Sequence, residues 1–84
     1  MSEHLVGVVS HFYNDIGVAG VDVSDVIHTG DVIHITGHTS DFTQTVGSIE
    51  IDHTHVEEAA DGDSIGLKVI DRARVHDEVF VVDD

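Results

Sequence analysis

Apolar and polar residues alternate with period two along most of this chain, and turns bearing glycine and aspartate interrupt the alternation at short intervals. Successive side chains of a strand point to opposite faces, so the pattern predicts a series of half-buried β-strands. Residues 5–11 predict the first, with Gly7 marking a bulge or a close approach. Asn14, Asp15 and Gly17 supply hairpin chemistry, and Val18–Val23 returns with Ala19, Val21 and Val23 on one face. Ser24–Gly30 is a connection whose Val26 and Ile27 are expected to plug a barrel mouth. Gly30-Asp31 starts a third strand that carries Ile33 and Ile35 inward. Gly37–Gln44 reads as a polar loop holding one aromatic, and Thr45–Asp52 as a fourth strand with Ile49 and Ile51 inward. His53–Asp61 lacks alternation and predicts one helical turn around Val56–Ala59, too short to stand alone. Asp61-Gly62-Asp63 then feeds a fifth strand through Ile65, Leu67 and Val69 to about Ile70. Asp71–Asp77 forms a turn, and Glu78–Val82 closes the set.

Six strands with glycine-bearing turns predict an all-β fold, a small closed six-stranded β-barrel with its core between about residues 5 and 82. Closure answers the edge problem, because a flat sheet of valine-rich strands would expose an aggregation-prone edge. Composition agrees: 15 Val, 8 Ile and 6 Thr stand against 2 Leu, 4 Ala and no proline, and β-branched side chains pack well on a pleated surface. At 84 residues the chain is read as one domain, 1–84, able to bury roughly 60–65 % of its extended surface.

Charge changes the picture more than composition does. Seventeen acidic residues face only Lys68, Arg72 and Arg74, a formal charge of −14. Such a field repels phosphate, so DNA is not an expected partner. The acidic residues are dispersed through strand-like segments, unlike a disordered acidic tail. Asp outnumbers Glu by 12 to 5 and lysine is nearly absent, which fits a halophile cytoplasm where molar salt shortens the Debye length to about 3 Å. There is no cysteine, hence no disulfide or thiolate site. No basic start or long apolar run indicates a signal peptide or membrane span, so the expectation is a cytoplasmic protein without a membrane partner.

Several stretches together carry a family likeness: Gly20-Val21, Val26-Ile27-His28-Thr29-Gly30-Asp31, Val46-Gly47-Ser48-Ile49-Glu50-Ile51, Val56-Glu57-Glu58-Ala59 and Gly62-Asp63-Ser64-Ile65-Gly66-Leu67. From about Leu5 to Val82 the chain resembles the β-barrel second domain of the translational GTPases, elongation factors Tu and 1A. It is more similar still to the stand-alone elongation-factor-like small proteins of archaea and bacteria, and to the barrel appended to some family U32 peptidases. Residues Gly37–Gln44 and the aromatics beside His11 carry that closer likeness. The family's last turn usually has glycine before its aspartate; here His76 precedes Asp77. The resemblance implies a binding module acting in translation, with a ribosome, RNA or protein partner. It does not imply GTP hydrolysis, since no phosphate-cradling Gly-x-x-x-x-Gly-Lys-Ser/Thr loop is present.

The candidate partner surface is the loop residues His38, Thr39, Ser40, Asp41, Phe42 and Gln44 with the turn residues Arg72 and Arg74. Phe12, Tyr13 and Phe42 are possible stacking platforms, Phe42 equally a core plug, and three cations are few for RNA. A protein partner meets no such electrostatic objection, and a monomer is the favoured state. The alternative is a small metal- or ligand-binding protein using His34, His38, His53 and His55, among the chain's eight histidines, although no known ligand spacing is matched. A hydrolytic grouping of Ser40, His38 and Asp41 or Glu50 is weaker, because loop Ser and Asp usually cap turns. No catalytic residue and no cofactor are expected.

Overall fold

The computed structural model describes residues 2–83, which form ten strands and no helix. They are β1 (Ser2–Tyr13), β2 (Val18–Val23), β3 (Ile27–His28), β4 (Val32–Thr36), β5 (Asp41–Thr45), β6 (Ile49–Ile51), β7 (Thr54–Val56), β8 (Glu58–Ala59), β9 (Ser64–Lys68) and β10 (Glu78–Asp83). Eight make one antiparallel sheet in the order β5-β4-β10-β1-β2-β9-β6-β7, and β3 pairs with β8 apart from it. The chain is all-β, as its alternation predicts. Its strands outnumber the expected six, and the ladder runs from β5 to β7 without backbone pairing between those two edges among the described residues.

The twelve-residue β1 organises the sheet. Its first half pairs with β10, from Ser2 opposite Asp83 to Val8 opposite Glu78, and its second half with β2, from Gly7 opposite Val23 to Tyr13 opposite Val18. Two register shifts let one strand serve both neighbours, at Leu5/Gly7 and at Val9/His11. Gly7 is required at the first: a Cβ there would lie 2.7 Å from Val21 Cγ1 and 2.8 Å from Asp22 O.

The inward faces are those the alternation marks. Ala19, Val21, Ile33, Ile35, Ile49, Ile65, Leu67, Val79 and Val81 are all buried with Val6 and Val9 in one core. Ile27 of the short strand β3 and two connection residues, Val46 and Ala73, complete the core; Val26, expected beside Ile27, is exposed instead.

Three segments differ from their sequence reading. The expected fourth strand Thr45–Asp52 is broken: Thr45 ends β5, residues 46–48 leave the ladder with Val46 turned into the core, and only Ile49–Ile51 is strand before the Asp52-His53 turn. The expected helical turn at Val56–Ala59 is extended chain: β7 pairs with β6, Val56 lies opposite Ile49, and Ala59 pairs with Ile27. A helical turn there would strip these short strands of their backbone partners for a single hydrogen-bonded turn, an unfavourable exchange. Half of the expected Gly37–Gln44 loop is also strand. Residues 41–45 pair along β4 from Thr36 opposite Asp41 to Val32 opposite Thr45, leaving only 37–40 as the connection.

Three turns share one construction. In 28–31, 60–63 and 74–77 the closing aspartate donates its amide to the carbonyl three residues back, at 3.2, 3.0 and 3.0 Å. Its carboxylate then accepts the amide of that same residue, at 2.8, 2.9 and 2.8 Å. The residue before each aspartate has positive φ: Gly30 at 90°, Gly62 at 95° and His76 at 79°. Positive φ at the third position characterises a type II turn and favours glycine. The turn at His76 is therefore of the same construction as the glycine turns, with histidine bearing the strain.

Candidate functional site

The structure uses half of the sequence-predicted partner surface to hold the fold together. Ser40 is buried, and its carbonyl accepts the Gly37 amide at 2.9 Å. Phe42 and Phe12 are partly buried and pack against the core. Gln44 spans from β5 to the chain leaving β9: its amide nitrogen donates to Lys68 O at 2.9 Å, and its oxygen accepts the Ile70 amide at 2.8 Å. Asp41 is bonded to His34 Nε2, which removes it from any Ser40–His38 grouping. His38, Thr39, Arg72 and Arg74 remain exposed.

Nor do the four candidate histidine ligands meet. His34 lies on β4, His38 in the following turn, and His53 and His55 on the β6–β7 hairpin at the other end of the sheet order. Among the described residues no group of three or more His, Asp or Glu is arranged to hold a metal ion. His34 sits instead between two carboxylates, its Nδ1 3.0 Å from Glu3 Oε1 and its Nε2 on Asp41. The Asp41 hydrogen bond, then that of Glu3, raises its pKa above the ordinary histidine value by favouring the imidazolium. Among the described residues every ion pair takes histidine as its cation: His4 with Asp83, His28 with Asp31 and Glu58, and His34 with Glu3 and Asp41.

A different face holds an open groove of about 400 Å³. Its floor is a row across four strands, His11 opposite Gly20, Gly20 opposite Gly66, and Gly66 opposite Glu50. The β1 register shift at Val9/His11 brings both Ser10 and His11 to this face. One wall is Tyr13, whose ring lies 4.3 Å from that of His11 and is half exposed. The other is the β6–β7 hairpin, where Asp52 and His53 form a two-residue turn with both φ positive, at 51° and 64°. Asn-Gly is the favoured pair for such a turn. Here the strained pair instead sets a carboxylate and an imidazole on the groove rim.

Sequence reasoning singled out Tyr13, Glu50 and His53 for separate roles but not the groove they line together. The available signal was glycine inside strands, at Gly20 and Gly66, which often marks a close approach by another group.

No protein-family model matches the chain. Among curated proteins it is similar to the uncharacterized protease MJ0090 of Methanocaldococcus jannaschii, 32% identical over 78 residues; the match takes in 92% of this chain and 19% of that protein. The chain therefore spans about a fifth of the length of this relative. Two crystal structures from Geobacillus thermoleovorans share its architecture, both of the C-terminal domain of a protein described as a U32 peptidase. One, a selenomethionine variant, has a TM-score of 0.87 at 19% identity, covering 90% of this chain and 96% of that one. The other has a TM-score of 0.84 at 19% identity, covering 89% and 88%. None of these three is a translation factor, so the expected role in translation gains no support from them. What the two crystal structures establish is the fold: that of a small β domain found at the C-terminus of a U32 peptidase.

Proposed function

We propose that the chain is a non-catalytic docking domain that associates with the peptidase portion of a U32-type protein and offers a protein-binding surface beside it. The observation that carries this reading is the match of 92% of the chain to 19% of a protein named as a protease, together with a fold shared with the C-terminal domain of the Geobacillus protein. The site geometry supports binding over catalysis: Ser40 is buried and Asp41 is bonded to His34, so Ser40, His38 and Asp41 are not arranged as a nucleophile with an oriented base. A protein is favoured over RNA because 17 acidic residues oppose phosphate and only three fixed cations attract it.

Two finer readings belong to the same proposal. Gln44 joins the β5 edge to residues 68–70 by two hydrogen bonds, which supports a sheet curled into a barrel and fastened by a side chain where backbone pairing stops. The dispersed acidic surface supports a protein adapted to molar salt.

The test is direct binding, in molar KCl, between this chain and the peptidase portion of a U32 protein from the same genome, with total RNA as competitor. The expected result is a stable complex insensitive to nuclease. Absence of association at tens of micromolar, or retention of RNA in place of protein, overturns the reading.

A further inference from the structure

We infer that the groove floored by Gly20 and Gly66 binds an arginine side chain presented by an extended segment of a protein partner. This rests on the docking reading above and names the chemistry by which docking is made.

The bare floor is the first observation. Gly66 has no positive φ, and a Cβ placed there would meet only Val18 Cγ1, at 3.4 Å. Neither backbone conformation nor packing therefore calls for glycine, although glycine inside a strand costs about 0.5–1 kcal/mol relative to alanine. Gly20 is its cross-strand neighbour; a Cβ there would meet Ser10 Oγ at 3.3 Å and His11 Cβ at 3.5 Å, so the open backbone lies at Gly66, with the Ser10 hydroxyl and His11 bordering it and room for a planar group. Strain at Asp52 and His53 is the second observation, independent of the first. Two side chains are held at the rim by a turn that glycine would make with less strain.

Charge selects the occupant. Glu50 ends the floor row and Asp52 stands on the rim, in a chain of formal charge −14. An exposed Tyr13 ring forms the opposite wall. A flat cation fits this combination better than a compact one: a guanidinium stacks on an aromatic face, lies on open backbone and offers a fork of donors to carboxylates. Lys68, the cation of the adjoining hollow, is turned onto Ile16 O at 2.8 Å. A nucleotide is disfavoured by the same two carboxylates, since its phosphate would be repelled.

The probe is N-acetyl-arginine-N-methylamide, titrated at pH 8 into the labelled 84-residue chain while backbone amide shifts are followed by NMR. The neutral citrulline analogue, the lysine analogue and AMP are run beside it. The expected result is a saturable shift at Gly20 and Gly66 with a Kd on the order of 1 mM, as befits a ligand of this size. Citrulline and AMP give none, and lysine is weaker. Glu50→Gln weakens binding about tenfold, in line with loss of a charge-assisted hydrogen bond. Gly66→Val fills that opening with a strand-favouring residue, so it abolishes the shifts while leaving a folded spectrum; should it disturb the spectrum, Gly66→Ala provides the smaller step and is expected to weaken binding. Equal response to citrulline, a stronger response to AMP, shifts scattered over the surface, or full binding by Gly66→Val overturns the assignment. If the probe fails while the peptidase portion still associates, only the groove assignment falls. If the probe binds and the peptidase portion does not, the docking reading falls.

Discussion

Gly37 and Gly66 sit in two parts of the molecule that read alike as sequence and differ as physics. A Cβ on Gly37 would collide with the Asp77 carboxylate, which is itself buried and holds the Arg74 amide. A Cβ on Gly66 would touch only one valine methyl at ordinary distance. The first glycine is imposed by the fold, and the region around it, Gly37–Gln44, is where the structure is fastened. The second is not imposed, and the surface around it is left free for something else. The loop's side chains thus serve the fold at Ser40, Phe42 and Gln44, whereas the glycine at 66 serves no packing need that its surroundings show.

That contrast can be broken most directly by substitution at the two positions. Gly37→Ala must displace a buried carboxylate that caps a turn, and is expected to cost about 2–4 kcal/mol. Gly66→Ala should be neutral or stabilise by up to about 1 kcal/mol, since glycine inside a strand costs about that much relative to alanine and the added Cβ meets one methyl at ordinary distance. Urea unfolding of both variants checks this; similar midpoints for the two would erase the distinction.

The fastening role of the predicted loop is sharpened by Gln44→Ala, which leaves Lys68 O and Ile70 N without their partner. The expected loss is about 1–3 kcal/mol, since unpaired backbone groups carry a desolvation cost. Faster hydrogen exchange at the Ile70 amide should accompany it, and unchanged exchange would show that the side chain does not join the edge to residues 68–70.

Much of the fold was legible because period-two alternation reports which face of a strand is wet. Ile33/Ile35, Ala19/Val21/Val23 and Ile65/Leu67/Val69 all face the core as read. Asp41–Thr45 was not legible as a strand, since its one apolar residue, Phe42, gives no alternation to detect. The hairpin at Asp52-His53 was hidden for a related reason: it lacks the glycine that signals a two-residue turn. The groove was the least legible feature. It is assembled by register across β1, β2, β9 and β6, and pairing between strands distant in sequence is not written in any local window.

His76 offers a smaller effect of opposite sign. It holds φ at 79° in a turn whose two counterparts use glycine, so His76→Gly is expected to stabilise the fold by up to about 1 kcal/mol. Gly62→Ala should lose a similar amount. A higher thermal midpoint for the first and a lower one for the second would establish the three turns as equivalent. If His76→Gly instead destabilises, the His76 side chain makes a contribution beyond its backbone.

The smallest effect separates the local ion pairs from the overall charge. Because Asp41 and Glu3 raise the folded-state pKa of His34, its contribution is fully present below the unfolded value of about 6.5 and is lost as pH rises through the raised folded value. The parent should therefore exceed His34→Gln in thermal midpoint at pH 5.5 by more than it does at pH 8. Salt acts on the other component. At pH 8, molar KCl should raise the midpoint by screening the repulsion of a −14 chain. Histidine is the side-chain type whose ordinary titration falls between pH 5 and 8, so in a chain with eight of them the salt-induced rise should be smaller at pH 5.5. A midpoint insensitive to KCl at both pH values would remove the support for salt adaptation, and an equal gap between parent and His34→Gln at both would detach the His34 bridge from stability. The two outcomes are independent, because the bridge joins three named side chains on β1, β4 and β5, whereas the salt response belongs to the whole acidic surface.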